Sequence, residues 1–416
     1  MRYGSVGWNV SRLLRIFVKM LLVIIVVATA GLSGGYLWLA TSLPATSGRI
    51  VLDDLRTPVR VTRDRLGLVT IEAQSDRDAA MALGYVHAQD RLFQMDLMRH
   101  TGAGRLAEWF GEAALGSDRL MRTLGLSRAV EEQFGNLSEP VRQALEAYAA
   151  GVNAYLAGHR GAWPPEYYAL RTEPEAWRPT ESLLWGKLID LTLTGNFRGE
   201  LLRAQLLQKI SREQLDVLYR PYPEDGPVAS REIRASVPDL PYAAVHGQLW
   251  ANTGPARASN NWVVAGSRSS TGKPILANDP HLAFSAPGPW YLARIVTPEV
   301  RITGATAPGT PFVIIGHNDH VAWGLTTTRG DVADLYVETL DAESDDRYRT
   351  PDGALPFEIR QEVIQVRDQA PRHITVHLKP SRRRPAPGFA GAWPVDPRAS
   401  VRAGRWVARP ACREGS

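Results

Sequence analysis

Few residues in this 416-residue chain combine a reactive side chain with a setting that could use it. Ser259, in Ala258-Ser259-Asn260-Asn261-Trp262, is one of them. A Pro-, Gly- and Ala-rich stretch ends there and a strand pattern begins. A serine hydroxyl is a weak nucleophile without a base. Cutting the peptide bond before Ser259 would supply one, because a free α-amine, with an ordinary pKa of about 7.7–8.0, can take the hydroxyl proton. Spacing alone leaves open the plainer alternative, a serine that only starts a strand. Two other patterns carry less. Gly31-Leu32-Ser33-Gly34-Gly35 fits G-x-S-x-G, but that motif needs a strand–turn–helix setting and these residues lie in an apolar run. His317 and His320 have metal-pair spacing with no third ligand close by in sequence. H-E-x-x-H, P-loop and dinucleotide-binding patterns are absent. The single cysteine, Cys412, excludes an intrachain disulfide or a Cys-based zinc site.

The elements that must hold Ser259 follow from periodicity. Residues 57–73 read as two short strands around a turn at 65–67. Residues 76–110 turn helical, with Leu83, Val86, Leu92, Phe93, Leu97 and Met98 at three- and four-residue spacings and a break at Thr101-Gly102. Another helix starts after Ser138, with Pro140 in its first turn. There Val141, Leu145, Tyr148, Val152 and Tyr155 share a face, and Gly158 ends it. Helical pattern resumes over 181–210. Residues 221–258 have little periodicity and read as a linker or excised spacer. Strand patterns then recur at 262–266, 275–278, 290–296, 300–304, 312–316, 321–325, 357–366 and 373–378. Helices first and strands second predict an α+β layered fold. The tail, 379–416, holds nine basic residues and six prolines and predicts neither helix nor strand.

The formal charge of +5 sits at the two ends. Residues 1–19 carry four basic residues and no acid, and the tail carries nine basic residues against two acids. The body, 20–378, holds 35 basic and 41 acidic residues and is mildly acidic. With no basic stripe interleaved with aromatics, nucleic acid is not an expected partner. Residues 20–40 are 21 positions without a charge. At a rise of about 1.5 Å per residue they can cross a bilayer of about 30 Å, with the basic flank in the cytoplasm. Two readings stand: a signal peptide cleaved near 40–42 or 45–47, or an uncleaved anchor. Both put the body outside the cytoplasm, in the periplasm or at the cell surface.

Over residues 59–376 the chain resembles the penicillin acylase family of N-terminal nucleophile (Ntn) hydrolases. The resemblance is carried by GYVHAQDRLFQMDLMR at 84–99, GRLAEWFG at 104–111, SNNWVVAGSRSSTGKPILANDPHL at 259–282 and GHNDHVAWGLTTTRGDVADLYVE at 316–338. It implies an αββα four-layer sandwich. Residues 1–48 would then be the leader or anchor, 49–220 the helical α-chain region, and 221–258 the spacer peptide. Residues 259–378 would be the N-terminal part of the β-chain, followed by the atypical tail, 379–416. Ser259 matches the nucleophile, which becomes the first residue of the β-chain when the precursor cuts itself into an α/β heterodimer. His281 matches a position, Gln or His among members, that steadies the nucleophile's amine. Thr327 matches the residue whose backbone N–H forms half of the oxyanion hole. Asp331, the carbonyl of Ala333, Asp334 and Glu200 match the ligands of a structural calcium ion, a hard cation suited to oxygen donors. No organic cofactor is implied. The implied substrates are small N-acyl amides, either acylated β-lactams or N-acyl homoserine lactones.

Two departures bear on this. Ala258 stands where the family most often has glycine. The family's second oxyanion donor, an asparagine side chain, and the arginine after it would fall beyond Ser416. The sandwich is therefore expected to be incomplete in this chain, and the tail has the composition of an out-of-frame read of GC-rich DNA. The rival expectation, from outside the enzymes, is an inactive truncated or frameshifted remnant of such an acylase.

Overall fold

The computed structural model describes residues 6–193, 196–219, 258–282, 285–326, 334–344, 346–350, 353–379, 391–393 and 405–409. A long helix, α1 (Val6–Leu39), precedes strands β1 (Arg60–Arg63) and β2 (Val69–Glu72) and the helix α2 (Asp76–Ala103). Eight more helices follow: α3 (Ala107–Phe110), α4 (Leu115–Leu124), α5 (Leu126–Phe134), α6 (Glu139–Gly158), α7 (Pro165–Leu170), α8 (Glu181–Leu193), α9 (Asn196–Leu207) and α10 (Arg212–Leu218). The strand-rich part runs β3 (Ala258–Val264), β4 (Ile275–His281), β5 (Tyr291–Val296), β6 (Arg301–Thr306), β7 (Val313–His317), β8 (Ala322–Trp323) and β9 (Asp334–Glu338). It continues with β10 (Arg347–Thr350), β11 (Gly353–Pro356), β12 (Glu358–Ile364), β13 (Arg372–Leu378), β14 (Gly391–Trp393) and β15 (Arg405–Arg409). The α+β class read from the sequence is the class observed.

The core is a helix pair on a sheet. Strands β1-β2-β5-β6-β7-β8 form a six-stranded sheet in that order, and β2 and β5 pair in parallel. That pairing stitches the N-terminal hairpin into the later, strand-rich half. Along β5 the alternation is strict: Tyr291 and Ala293 are buried, whereas Leu292 and Arg294 are exposed. The buried face, with Val69 and Ile71, packs on Leu83 and Val86 of α2 and Tyr148 and Val152 of α6. The two helices touch backbone to backbone because each offers a glycine. A Cβ on Gly84 would lie 2.1 Å from the Tyr148 carbonyl oxygen, and one on Gly151 would lie 1.9 Å from that of Met81. Of the four expected layers, the described residues show this helical layer and this sheet.

Polar groups lock the same core. Arg63 of β1 makes a bidentate pair with Asp90 of α2, at 2.6 and 3.0 Å, and the Tyr291 hydroxyl donates to the same carboxylate. His87 is fully buried, with Nδ1 2.8 Å from the Tyr148 hydroxyl and Nε2 3.0 Å from Thr306 Oγ1. The Thr306 hydroxyl donates to the Tyr291 carbonyl, so it accepts from His87 Nε2–H. Nδ1 then accepts from Tyr148, whose oxygen accepts the Gly309 N–H at 2.8 Å. Burial, helped by the charge of Arg91, pushes the imidazole down to about 3, and His87 is neutral.

The C-terminal hairpin β12–β13 docks on the helical region. Ile364, Val366, Ile374 and Val376 pack against Ala107 and Leu115, and Arg360 donates to the Arg122 carbonyl at 2.6 Å. The tail departs from expectation: β14 and β15 join β9 in a three-stranded sheet ordered β14-β15-β9. Main-chain pairing needs no alternation of side chains, and Trp393, Trp406 and Val407 favour extended backbone. The 221–258 spacer lies outside the described residues up to Ala258, which already belongs to β3. At the other end, α1 carries the uncharged apolar run read from the sequence up to Leu39, and its most apolar window has no buried share. That helix is long and apolar enough to cross a membrane, and it swallows the G-x-S-x-G pattern whole.

Candidate active site

Ser259 is the second residue of β3, in an antiparallel hairpin with β4 that has no register shift. Ser259 faces Pro280, Asn260 faces Asp279, and Ala258 faces His281. Directly opposed residues share a face, and faces alternate along a strand. Ser259, Asn261, Pro280 and Asn278 therefore lie on one face of the hairpin, and Ala258, Asn260, Asp279 and His281 on the other. The hairpin thus brings His281 beside Ala258, not over the Ser259 hydroxyl.

Polar contacts order both faces. His281 Nε2 lies 2.9 Å from Asp279 Oδ2, two residues back on the same strand. A carboxylate only accepts, so Nε2 is the donor in this contact. Asn260 Nδ2, at 3.5 Å from Nε2, is too distant to compete. On the face of Ser259, Asn278 Nδ2 donates to the Asn260 carbonyl and to the Leu325 carbonyl, both at 3.0 Å. Asn278 Oδ1 accepts from the Leu325 N–H at 3.1 Å. Asp279, Asn260 and Asn278 were not among the residues expected to matter. The strand's period of two could have singled out Asp279, since it shares a face with His281, but nothing local points from Asn278 to Leu325.

The remaining candidates fall at the margin of what is described. Thr327, Asp331 and Ala333 lie outside the described residues. Asp334 opens β9 and Glu200 sits in α9, and these two elements pack against each other. The two chain segments that carry Glu200 and Asp334 are thus neighbours although 134 positions apart in sequence. A different cluster, His100, Glu108 and Glu175, has metal-like proximity. Arg105 already supplies its cation, bonding Glu108 at 2.8 and 2.7 Å and Glu175 at 2.9 and 2.7 Å. Those bonds hold the Glu175 carboxyl down at about 2. The His317/His320 pair sits at the exposed end of β7, and His320 N–H bonds Asn318 within the turn.

The family model described as "Penicillin amidase" matches residues 58–383. The acyl-homoserine lactone acylase QuiP of Pseudomonas aeruginosa is 38% identical over 364 residues, covering 83% of this chain and 43% of that protein. The penicillin acylase 2 proenzyme of Pseudomonas sp. (strain SE83) is 37% identical over 353 residues, covering 81% and 45% respectively. Among solved structures, the thermostable penicillin G acylase from Alcaligenes faecalis (tetragonal form) aligns with 27% identity and a TM-score of 0.36, over 42% of this chain and 98% of that one. With an α+β core and a family match across most of its length, the chain belongs to the penicillin amidase family. It spans less than half the length of the relatives it matches.

Proposed function

We propose that this chain carries the nucleophile of an acylase that hydrolyses the linear amide bond of N-acyl compounds. N-acyl homoserine lactones or acylated β-lactams are its substrates. Support comes from the relatives' names and from one observation of geometry: Ser259 stands at the head of a regular hairpin, directly after a long segment without strand pattern. Ser259 Oγ attacks the Ala258 carbonyl carbon, the C–N bond breaks, and the acyl group moves to oxygen. Water then hydrolyses that ester, leaving the Ala258 carboxylate and a free Ser259 amine. In the second phase the amine takes the hydroxyl proton as Oγ adds to the substrate carbonyl. The scheme assigns one oxyanion donor to the backbone N–H of Thr327, on the family resemblance alone, and a donor of this kind is worth about 2.7–4 kcal/mol. The leaving amine takes the proton, and water releases the acid from the acyl-enzyme. In this scheme His281, oriented by Asp279, steadies the newly formed amine.

Glu200, Asp331, the Ala333 carbonyl and Asp334 are oxygen donors suited to calcium, and the packing of α9 on β9 is compatible with one ion joining them. Bound there, calcium would act as a structural cross-link. Calorimetric titration of the full chain with Ca2+ checks this: Glu200→Gln should abolish or weaken the binding, and an unchanged isotherm removes Glu200 from the set. The basic flank and the apolar helix α1 favour a body held outside the cytoplasm, either by an anchor or after a signal peptide.

Intact-mass analysis of the full chain tests the central step. The expected result is two fragments divided between Ala258 and Ser259, release of a primary amine from an N-acyl homoserine lactone, and neither in Ser259→Ala. An uncut chain with no amide hydrolysis would overturn the proposal.

A further inference from the structure

The side chain of Asn278 commits both of its donor hydrogens and its carbonyl oxygen to backbone groups of two other segments. Both hydrogens of Nδ2 are used, one on the Asn260 carbonyl and one on the Leu325 carbonyl, and Oδ1 takes the Leu325 N–H. The orientation of the carboxamide is fixed by its partners. Turned over, it would set Nδ2 against an N–H and Oδ1 against a carbonyl. Asn260 adjoins Ser259 on β3, and Leu325 follows β8, the last strand of the six-stranded sheet. Asn278 therefore ties the nucleophile's hairpin to the end of the large sheet, on the face that Ser259 occupies.

The approach is close enough to need a glycine. A Cβ on Gly324 would lie 2.7 Å from Asn278 Cβ and 2.8 Å from its Cγ. Two consecutive residues, Gly324 and Leu325, are thus matched to one asparagine 47 positions before Leu325. The shape fits only this side chain: aspartate would keep the acceptor but lose both donors, and glutamine would overreach by a methylene.

We propose that Asn278 is a positioning residue for catalysis. It holds the backbone at Leu325 in register with Asn260 and so fixes the strand that carries Ser259 against the end of the large sheet. This rests on the acylase reading of Ser259 given above. Asn278 touches neither substrate nor the reacting atoms in this scheme, so its removal should act on the rate of chemistry and not on substrate affinity.

The contact is tested without activity, on the full chain carrying Ser259→Ala in detergent, by hydrogen exchange at the Leu325 amide. Asn278→Ala should speed that exchange about tenfold or more. Gly324→Ala, which leaves the hairpin untouched, should do the same by pushing the two segments apart. A near-UV circular dichroism spectrum equal to the parent's shows that the fold is intact. Unchanged exchange in both variants overturns the contact. In the chain with Ser259 intact, Asn278→Asp should slow self-cleavage and lower kcat by roughly 100-fold, as a misplaced donor does, with KM moved less than about twofold. If the parent chain is active and the variant equals it, or if KM alone changes, the positioning role is wrong. A parent chain that neither cuts nor hydrolyses overturns the acylase reading and the catalytic role together, while exchange at Leu325 still decides whether the clamp exists.

Discussion

The surroundings of His87 and those of Ser259 use polar side chains under opposite conditions. His87, Tyr148 and Thr306 are all buried, and every ring nitrogen and hydroxyl in that chain has a partner inside the protein. The β3–β4 hairpin is open. Trp262 is 57% and Val263 65% exposed, and the His281 side chain is 44% exposed beside its aspartate. In the first region, desolvation makes each hydrogen bond costly to lose, so the network fixes one geometry of α2, α6 and the strands over them. In the second, the groups stay within reach of solvent and small molecules, and rigidity comes from backbone clamps such as Asn278 on Leu325. One region is closed to solvent and the other is open to it.

The contrast can be broken experimentally, using the full chain with Ser259→Ala in detergent so that it stays in one piece. Gly151→Ala should have the largest effect, about 3 kcal/mol or more of lost stability in urea unfolding, because its Cβ would lie 1.9 Å from the Met81 carbonyl oxygen. Acid should come next. Burial holds His87 down at about 3, while in the unfolded chain it titrates near 6.5. The unfolded state therefore binds the extra proton, and this share of stability is present above about pH 6.5 and lost as the pH falls toward 3. The expected slope is at most about 1.4 kcal/mol per pH unit between pH 6 and pH 4. His87→Gln should flatten that slope, and an unchanged slope would remove His87 as its source. Tyr148→Phe, which strips the partner from His87 Nδ1 and from the Gly309 N–H, should cost about 2 kcal/mol at neutral pH. The smallest effect should come from the hairpin: Val263→Thr, at an exposed position, should shift the unfolding free energy by less than about 0.5 kcal/mol. A loss of several kcal/mol there would mean that the hairpin belongs to the cooperative core after all.

Local patterns made much of the fold legible. Two strands were expected around a turn at 65–67 and are found as β1 and β2. The helix expected after Ser138 runs from Glu139 to Gly158 as α6, and the helical run from 76 is α2, ending at Ala103. Each rests on a long apolar stripe with a clear start or stop. The misses have a common cause. Helices α4, α5, α7 and α10 and strands β9 to β11 are short, with too few turns or alternations to rise above the background. The pairs β14 and β15 arise from main-chain bonding in a Pro- and Arg-rich tail whose side chains carry no period. In the candidate site, Ser259 and His281 were singled out by motif resemblance and lie on adjoining strands, whereas Asp279, two residues before His281, was not singled out. Asn278 was invisible as a clamp because its partner is remote in sequence.

The sequence by itself determined which residues have the chemistry and which side of its own strand or helix each occupies. Ser259 lies at the start of a strand pattern, and Tyr148 and Val152 share a helical stripe. These properties depend on a few neighbours along the chain and on the fixed periods of 2 and 3.6 residues. Which stripe meets which strand was decided only by the tertiary structure. The parallel pairing of β2 with β5, the bond from His87 to Thr306 across 219 positions, and the hold of Asn278 on Leu325 across 47 all depend on close packing. A periodic pattern says that a face must be covered. Volume, hydrogen-bond capacity and the absence of a Cβ at Gly84, Gly151 and Gly324 select what covers it.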